Sequence, residues 1–292
     1  MPTVTTEAHA KINLWLTVGE KRPDGYHEIE SVMQEISLCD LVTVTRHPDG
    51  DGKRIAVHCS DPALPTDRRN IVWKCAEAFL ASAGIEAYDI FIDIEKHIPS
   101  SAGLAGGSAD GAAVLSLLNR LFGVRAPLSV LSETGAGVGA DIPFCLAGGT
   151  RICRGKGEFL TPAERSPALR SRAAVIVKNP VLSVSTAEAY RMLDETPSSP
   201  GDAPLRQNGL RTLLSEIRSG EIPRTLYNDF ERIAPPEVFA MKKKLLALGA
   251  ASALMSGSGP AVCGLFEGLR DAEAARDALR TDGTDAWAVR LL

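Results

Sequence analysis

A lysine at position 11, an aspartate at 141 and a glycine-loaded run between 99 and 109 are the residues whose chemistry suits the handling of a phosphate. The run reads Pro99-Ser100-Ser101-Ala102-Gly103-Leu104-Ala105-Gly106-Gly107-Ser108-Ala109. Before it, from Tyr88 to Lys96, Ile90, Ile92 and Ile94 alternate with polar residues, the pattern of a half-buried strand. After it, Ala112, Leu115, Leu118 and Phe122 recur at helical spacing and Gly123 supplies a stop. Strand, loop and helix in that order leave backbone N–H groups unpaired at the positive end of the helix, where an anion is stabilised. Gly103, Gly106 and Gly107 let the backbone come close to such an anion, and Ser108 can cap the helix or touch phosphate. A glycine-rich corner that only turns the chain is the alternative. No G-x-x-x-x-G-K-[ST] occurs and no G-x-G-x-x-G follows a strand, which sets aside P-loop and dinucleotide-binding folds.

Four further segments carry chemistry. Lys11 and Asn13 fall on one face of a strand in Ala10-Lys11-Ile12-Asn13-Leu14, so a cation and an amide point the same way. Arg22-Pro23-Asp24-Gly25-Tyr26-His27 makes a turn that delivers an aromatic ring and an imidazole side by side. Gly139-Ala140-Asp141-Ile142-Pro143 sets one carboxylate between a glycine segment and a proline; a kinase uses such a group to accept the proton of the attacking hydroxyl. Ser256-Gly257-Ser258-Gly259-Pro260 joins two short strands as a second loop able to approach an anion. Each of the four, alone, is equally an exposed strand face, a hairpin or a turn.

The elements that must position these groups follow from pattern. Strands are expected at Ala10–Val18, Ser31–Ser37, Asp40–Arg46 and Arg54–Cys59, and helices at Ile71–Ala83 and Leu128–Thr134. A polar stretch near 155–167 marks a boundary. Beyond it come a strand at 173–177, a helix at 186–193, a mobile loop at Pro197–Asn208, a helix at 236–248, strands at 253–255 and 261–266, a helix at 271–279 and a strand at 286–291. This mixture predicts an α+β fold.

At 292 residues and 45% hydrophobic content the chain has room for two domains with real cores. A net charge of −4 without a basic stripe argues against a nucleic-acid partner. The six cysteines follow no C-x-x-C spacing, so reduced thiols in a cytoplasm are the simplest expectation. No apolar run suits a signal peptide or a membrane span. No acidic pair declares itself as a metal site, and nothing specifies an oligomeric state.

Together the glycine run and the four segments resemble the GHMP family of small-molecule kinases, over nearly the whole chain. The R-P-D-G-Y-H run resembles, within that family, the branch that acts on a cytidylated methylerythritol. The resemblance implies a ribosomal-protein-S5-like N-terminal domain over 1–160, a ferredoxin-like C-terminal domain over 161–292 and an active site in the cleft between them. It implies ATP with Mg²⁺, and phosphorylation of the 2-hydroxyl of a cytidine diphosphate-linked methylerythritol, a small-molecule substrate of the non-mevalonate isoprenoid route. Position by position, it makes Asp141 the base, Lys11 its catalytic partner and Asn13 a contact to the methylerythritol. Tyr26 and His27 hold cytosine, with Tyr190 as a second stacking face. Residues Pro99 to Ala109 wrap the ATP phosphates, and Asn70, Lys96 and Asn119 lie around the adenosine. A GHMP kinase for homoserine, mevalonate or a sugar, and a catalytically silent nucleotide binder, are the competing readings. Two positions depart from the family pattern. Ala105 stands where the loop usually has glycine, so a positive φ there means strain. Gly111 replaces alanine inside the helix, at a cost of about 1 kcal/mol in propensity.

Overall fold

The computed structural model describes residues 1–47, 52–178, 182, 185–196, 203–281 and 284–292. Two compact units are assembled from separated stretches: Met1–Ala10, Cys39–Ser100 and Ala105–Gly148 in the first, Lys11–Leu38, Ser101–Leu104 and Gly149–Leu292 in the second. Strands β1 (Thr3–Lys21) and β2 (His27–Arg46) each contribute residues to both.

In the first unit, β3 (Lys53–Cys59) runs parallel to β4 (Tyr88–Glu95), with Ile55 opposite Ile90 and Val57 opposite Ile92. The end of β2 lies antiparallel on the other side of β4, Val44 opposite Ile92 and Val42 opposite Ile94. The alternation read from the sequence therefore builds a continuous apolar face, in which Val42, Val44, Ile90 and Ile92 are fully buried. Helices α1 (Ile71–Ser82), α2 (Gly106–Leu121), α3 (Leu128–Ala136) and α4 (Ile142–Ala147) pack on one another. α1 buries Val72, Cys75, Ala76, Phe79 and Leu80, the stripe that a 3.6-residue period demands. α2 is buried from Ala109 to Leu115, which is why its middle is made of alanine, glycine and aliphatic residues. Asp141, for which a turn is the alternative reading, sits in a turn and caps a short helix that starts at Ile142, because proline is tolerated in a helix's first turn.

In the second unit, β5 (Thr150–Arg154) pairs antiparallel with β2, Ser31 opposite Cys153, and with β6 (Phe159–Pro162). The polar stretch expected as a boundary thus contains half of a hairpin. β7 (Ala173–Lys178), β9 (Ser252–Met255), β10 (Val262–Phe266) and β11 (Asp285–Arg290) form an antiparallel sheet in the order β11-β7-β10-β9. The short strand β8 (Tyr227–Asn228) lies parallel to β1 at Trp15 and Leu16. Val175, Val177 and Phe266 of the sheet share a core with Leu193 of α5 (Thr186–Asp194), Leu245 of α7 (Pro236–Ala247) and Leu279 of α8 (Leu269–Thr281). The loop expected at 197–208 is a correction in part: Ala203 opens α6 (Ala203–Ser219), and 197–202 lie outside the described residues. Gly209 of α6 faces Trp15, whose ring would stand 2.6 Å from any added Cβ, so tertiary packing overrides the turn-like composition.

Candidate active site

The glycine loop passes from one unit to the other between Leu104 and Ala105. On the first-unit side, Ala105 caps α2 in the left-handed region, φ 57° and ψ 28°, without a side-chain hydrogen bond. The strain anticipated for an alanine at this position is therefore present, about 1–2 kcal/mol for a non-glycine residue. The first backbone N–H of α2 to return into the helix is that of Ala109, to Ala105 O at 2.9 Å. Those of Gly106, Gly107 and Ser108 precede it at the positive helix end, and no acidic side chain occupies the first turn. Pro99 and Ser100 lead into the loop, and Ser100 Oγ donates to Asp61 Oδ2 at 3.2 Å.

Asp141 is held by its neighbour. Ile142 is fully buried, and a Cβ added at Gly111, Gly135 or Gly139 would meet it at 3.4, 2.4 or 3.3 Å. Three glycines thus form the socket for one isoleucine, which fixes the half-buried carboxylate that precedes it. Ile71, at the start of α1, stands 3.3 Å from the Cβ positions of both Gly107 and Gly139. The glycine-loop end of α2 and the segment leading to Asp141 therefore share a wall.

Lys96, expected around the adenosine, is held in a buried ion-paired triad. Its ammonium donates to Asp40 Oδ2 and, at 2.7 Å, to Asp110 Oδ2, and all three side chains are buried. Asp40 Oδ1 also accepts from the backbone N–H of Ile98 at 2.8 Å. Burial, with Asp40 close by, pushes the Asp110 carboxyl up to about 7 against the opposing pull of Lys96, and its Oδ1 has no hydrogen-bond partner. A Cβ at Gly106 would come 3.5 Å from Lys96 Nζ, so the triad lies directly under the loop. Asn70 and Asn119 serve local structure. Asn70 caps α1 through Val72 N–H at 3.0 Å. Asn119 uses both ends of its amide on Ala126, near the far end of α2 and about 16 Å along the axis from Ser108.

On the second-unit side, Lys11 and Asn13 are buried, not on an exposed strand face. Lys11 Nζ donates to Asn13 Oδ1 at 2.7 Å and to Gly103 O at 2.9 Å. Asn13 Nδ2 donates to Ser31 Oγ at 2.8 Å, which donates on to Trp15 O at 2.6 Å, so the amide orientation is set by a chain of bonds. The late loop, whose purpose the sequence left open, clamps this group. Ser256 Oγ donates to Gly103 O at 3.0 Å, and Asn228 Nδ2 donates to Gly257 O at 2.8 Å. Gly103, with φ 77°, has Ser256 O only 2.1 Å from where a Cβ would stand, so no other residue fits. Ala102 and Leu104 are buried on either side.

Tyr26 and His27 diverge. His27 is buried, its Nε2 lies 2.8 Å from Asp194 Oδ1, and its ring stacks on Tyr190 at 4.9 Å with a 13° tilt. Tyr190 in turn meets the edge of Phe230 at 4.9 Å. Tyr26 is 53% exposed and carries Lys156 Nζ 4.7 Å above its ring. Asp40, Asp110, Asp194, Ser31 and Asn228 escaped the sequence reading. Only Asp110, the residue immediately after the glycine run, stood in a segment already singled out.

Residues 70–149 match the model of the GHMP kinases N-terminal domain and residues 210–285 that of the GHMP kinases C-terminal domain. The chain is 42% identical over 280 residues to a 4-diphosphocytidyl-2-C-methyl-D-erythritol kinase of Gloeobacter violaceus, covering 94% of this chain and 89% of the relative. It is 38% identical over 292 residues to an enzyme of the same name from Geobacter metallireducens, covering 99% and 98%. A crystal structure of 4-(cytidine 5'-diphospho)-2C-methyl-D-erythritol kinase superposes with a TM-score of 0.77 at 34% identity, over 99% of both chains. A homoserine kinase from Cytophaga hutchinsonii shares the fold alone, with a TM-score of 0.76 at 18% identity. With both domain models matched in order and near-complete relatives on either measure, the α+β chain belongs to the GHMP kinases, a family of ATP-dependent small-molecule kinases.

Proposed function

We propose that this chain transfers the γ-phosphoryl group of ATP to the 2-hydroxyl of 4-diphosphocytidyl-2-C-methyl-D-erythritol, in the non-mevalonate route to isoprenoid precursors. The observation that carries the reading is near-full-length identity of 36–42% to enzymes of that name. The orphan N–H groups of Gly106 to Ser108 receive the phosphates, with Gly103 completing the loop. Asp141 accepts the hydroxyl proton and aligns the oxygen for in-line attack, while Lys11 offsets charge on the transferring group. Asn13 orients the methylerythritol. The stacked pair His27 and Tyr190 forms one part of the cytosine subsite and the exposed ring of Tyr26 the other. For Mg²⁺ the donor chemistry fits: the Ser108 hydroxyl is a hard oxygen ligand that would help hold it, and the ion would neutralise charge on the phosphates. We place nucleotide handling and catalysis in a domain over residues 1–160, which also carries the substrate contacts Asn13, Tyr26 and His27, and a substrate-side domain over 161–292, which supplies Tyr190. The protein works in the cytoplasm; its six cysteines are free, and no helix among the described residues is long and apolar enough to cross a membrane.

The test is ATP consumption with the cytidylated methylerythritol, mevalonate and homoserine supplied in parallel. Turnover with the first alone is expected. Turnover with either of the others in its place would move the chain to another branch, and ATP binding without any turnover would make it a silent relative.

A further inference from the structure

Glu7, His9 and Cys39 take no part in the groups used above, although Cys39 immediately precedes Asp40 in β2. They share the outer face at the start of β1 and the middle of β2. The pairs Thr3 with Thr45 (3.0 Å) and Thr5 with Thr43 (2.9 Å) set the register of the two strands. Continuing it places His9 opposite Cys39 and Glu7 one step along the ladder, while Ala8 and Ala10 turn inward and are buried. One ligand atom from each of the three residues lies within 4.8 Å of the other two, and no other such group is found among the described residues. His9 Nε2 is 3.3 Å from Glu7 Oε2, whereas His9 Nδ1 is buried without a hydrogen-bond partner. An imidazole with an unmet ring nitrogen beside a thiol and a carboxylate is the donor chemistry of a borderline-soft divalent cation.

We propose that Glu7, His9 and Cys39 form a binding site for Zn²⁺ or a similar transition-metal ion, distinct from any Mg²⁺ that accompanies ATP. Three protein donors of type O, N and S leave one tetrahedral position for water. A zinc ion at bond lengths of about 2.0–2.3 Å draws its ligand atoms within the 4.8 Å that bounds these three, and Glu7 Oε2 already stands 3.3 Å from His9 Nε2. Because the thiolate is the ligand, binding exchanges the Cys39 proton for the metal: the S–H bond breaks, a metal–sulfur bond forms, and H⁺ passes to the buffer with no change of oxidation state. Sulfur and imidazole donors select against Mg²⁺ and Ca²⁺, which take oxygen ligands.

The experiment is a Co²⁺ titration of the reduced, metal-free full chain, followed in the near-ultraviolet for the thiolate-to-cobalt charge-transfer band and then displaced with Zn²⁺. One equivalent of Co²⁺ should produce the band and Zn²⁺ should abolish it. Cys39→Ser should remove the band and His9→Ala should weaken binding more than about tenfold, at least the cost of disturbing a supporting residue in a metal site. Cys145→Ser, at the other half-buried cysteine, should leave the band intact. A band that survives Cys39→Ser, a band lost with Cys145→Ser, or no stoichiometric Co²⁺ binding by a wild-type chain that melts cooperatively would each overturn the proposal.

Discussion

Tyr26 and Asp110 show how one side chain's surroundings decide its use. The ring of Tyr26 is open to solvent, whereas His27 is already committed to Tyr190 and Asp194. Stacking on an aromatic is worth about 1–3 kcal/mol per base. Tyr26→Ala is therefore expected to raise KM for the cytidylated substrate about tenfold while leaving that for ATP unchanged; steady-state kinetics with each substrate varied in turn would read it, and equal effects on both would count against a base contact. Asp110 has the opposite setting. Its carboxyl, pushed up to about 7 by burial, keeps its proton over a range where an unfolded-state aspartate has lost it. The folded chain then binds more protons than the unfolded one, so this group's contribution to stability declines as pH rises from about 4 to 7 and is constant above. The melting temperature of Asp110→Asn should fall less between pH 5 and pH 8 than that of the wild type. Equal slopes would mean that Asp110 is ionised throughout.

Gly111 ties helix to helix. Sequence propensity counts it as a defect of α2 worth about 1 kcal/mol, yet an added Cβ would stand 2.8 Å from Cys75 Sγ in α1. Overpacking costs about 1–3 kcal/mol, so Gly111→Ala should destabilise the chain despite its better propensity. In a Cys75→Ala background the same change should become neutral or favourable, as a chemical-denaturation double-mutant cycle would show; additive losses would dismiss the contact. Elements whose apolar period stood clear of tertiary demands were legible: α1, α2 and β4 fall within two residues of their expected places. β1 extends to both sides of its expected range, and β2 joins two segments that read as separate. Their polar residues Lys11, Asn13 and Asp40 are buried and bonded to partners distant in sequence, Gly103, Ser31 and Ile98, which no local pattern reveals. The helix α4 was hidden because Ile142 owes its burial to glycines 3, 7 and 31 residues upstream. The loop and Asp141 announced themselves by composition; Ser256 and Asn228, which clamp Gly103 and Gly257, carry no signature of that task.

Across the molecule, the groups assigned to the reaction divide between the two units: Lys11, Asn13 and Gly103 in one, and Gly106 to Ser108 and Asp141 in the other. Each half is built rigidly, one around the Ser256 clamp and the other around Ile142 in its glycine socket. Rigid placement is what phosphoryl transfer requires, because orientation and charge stabilisation supply most of the rate. The decisive measurement is kcat at saturating ATP and cytidylated methylerythritol for Asp141→Asn and Lys11→Ala, each checked for a wild-type melting transition. A fall of about 10²–10⁴ in both, the range for loss of a positioned proton acceptor, with KM for ATP nearly unchanged, is the expected result. Near-normal turnover in either variant would contradict the assignment of that residue, and near-normal turnover in both would remove the proposed mechanism.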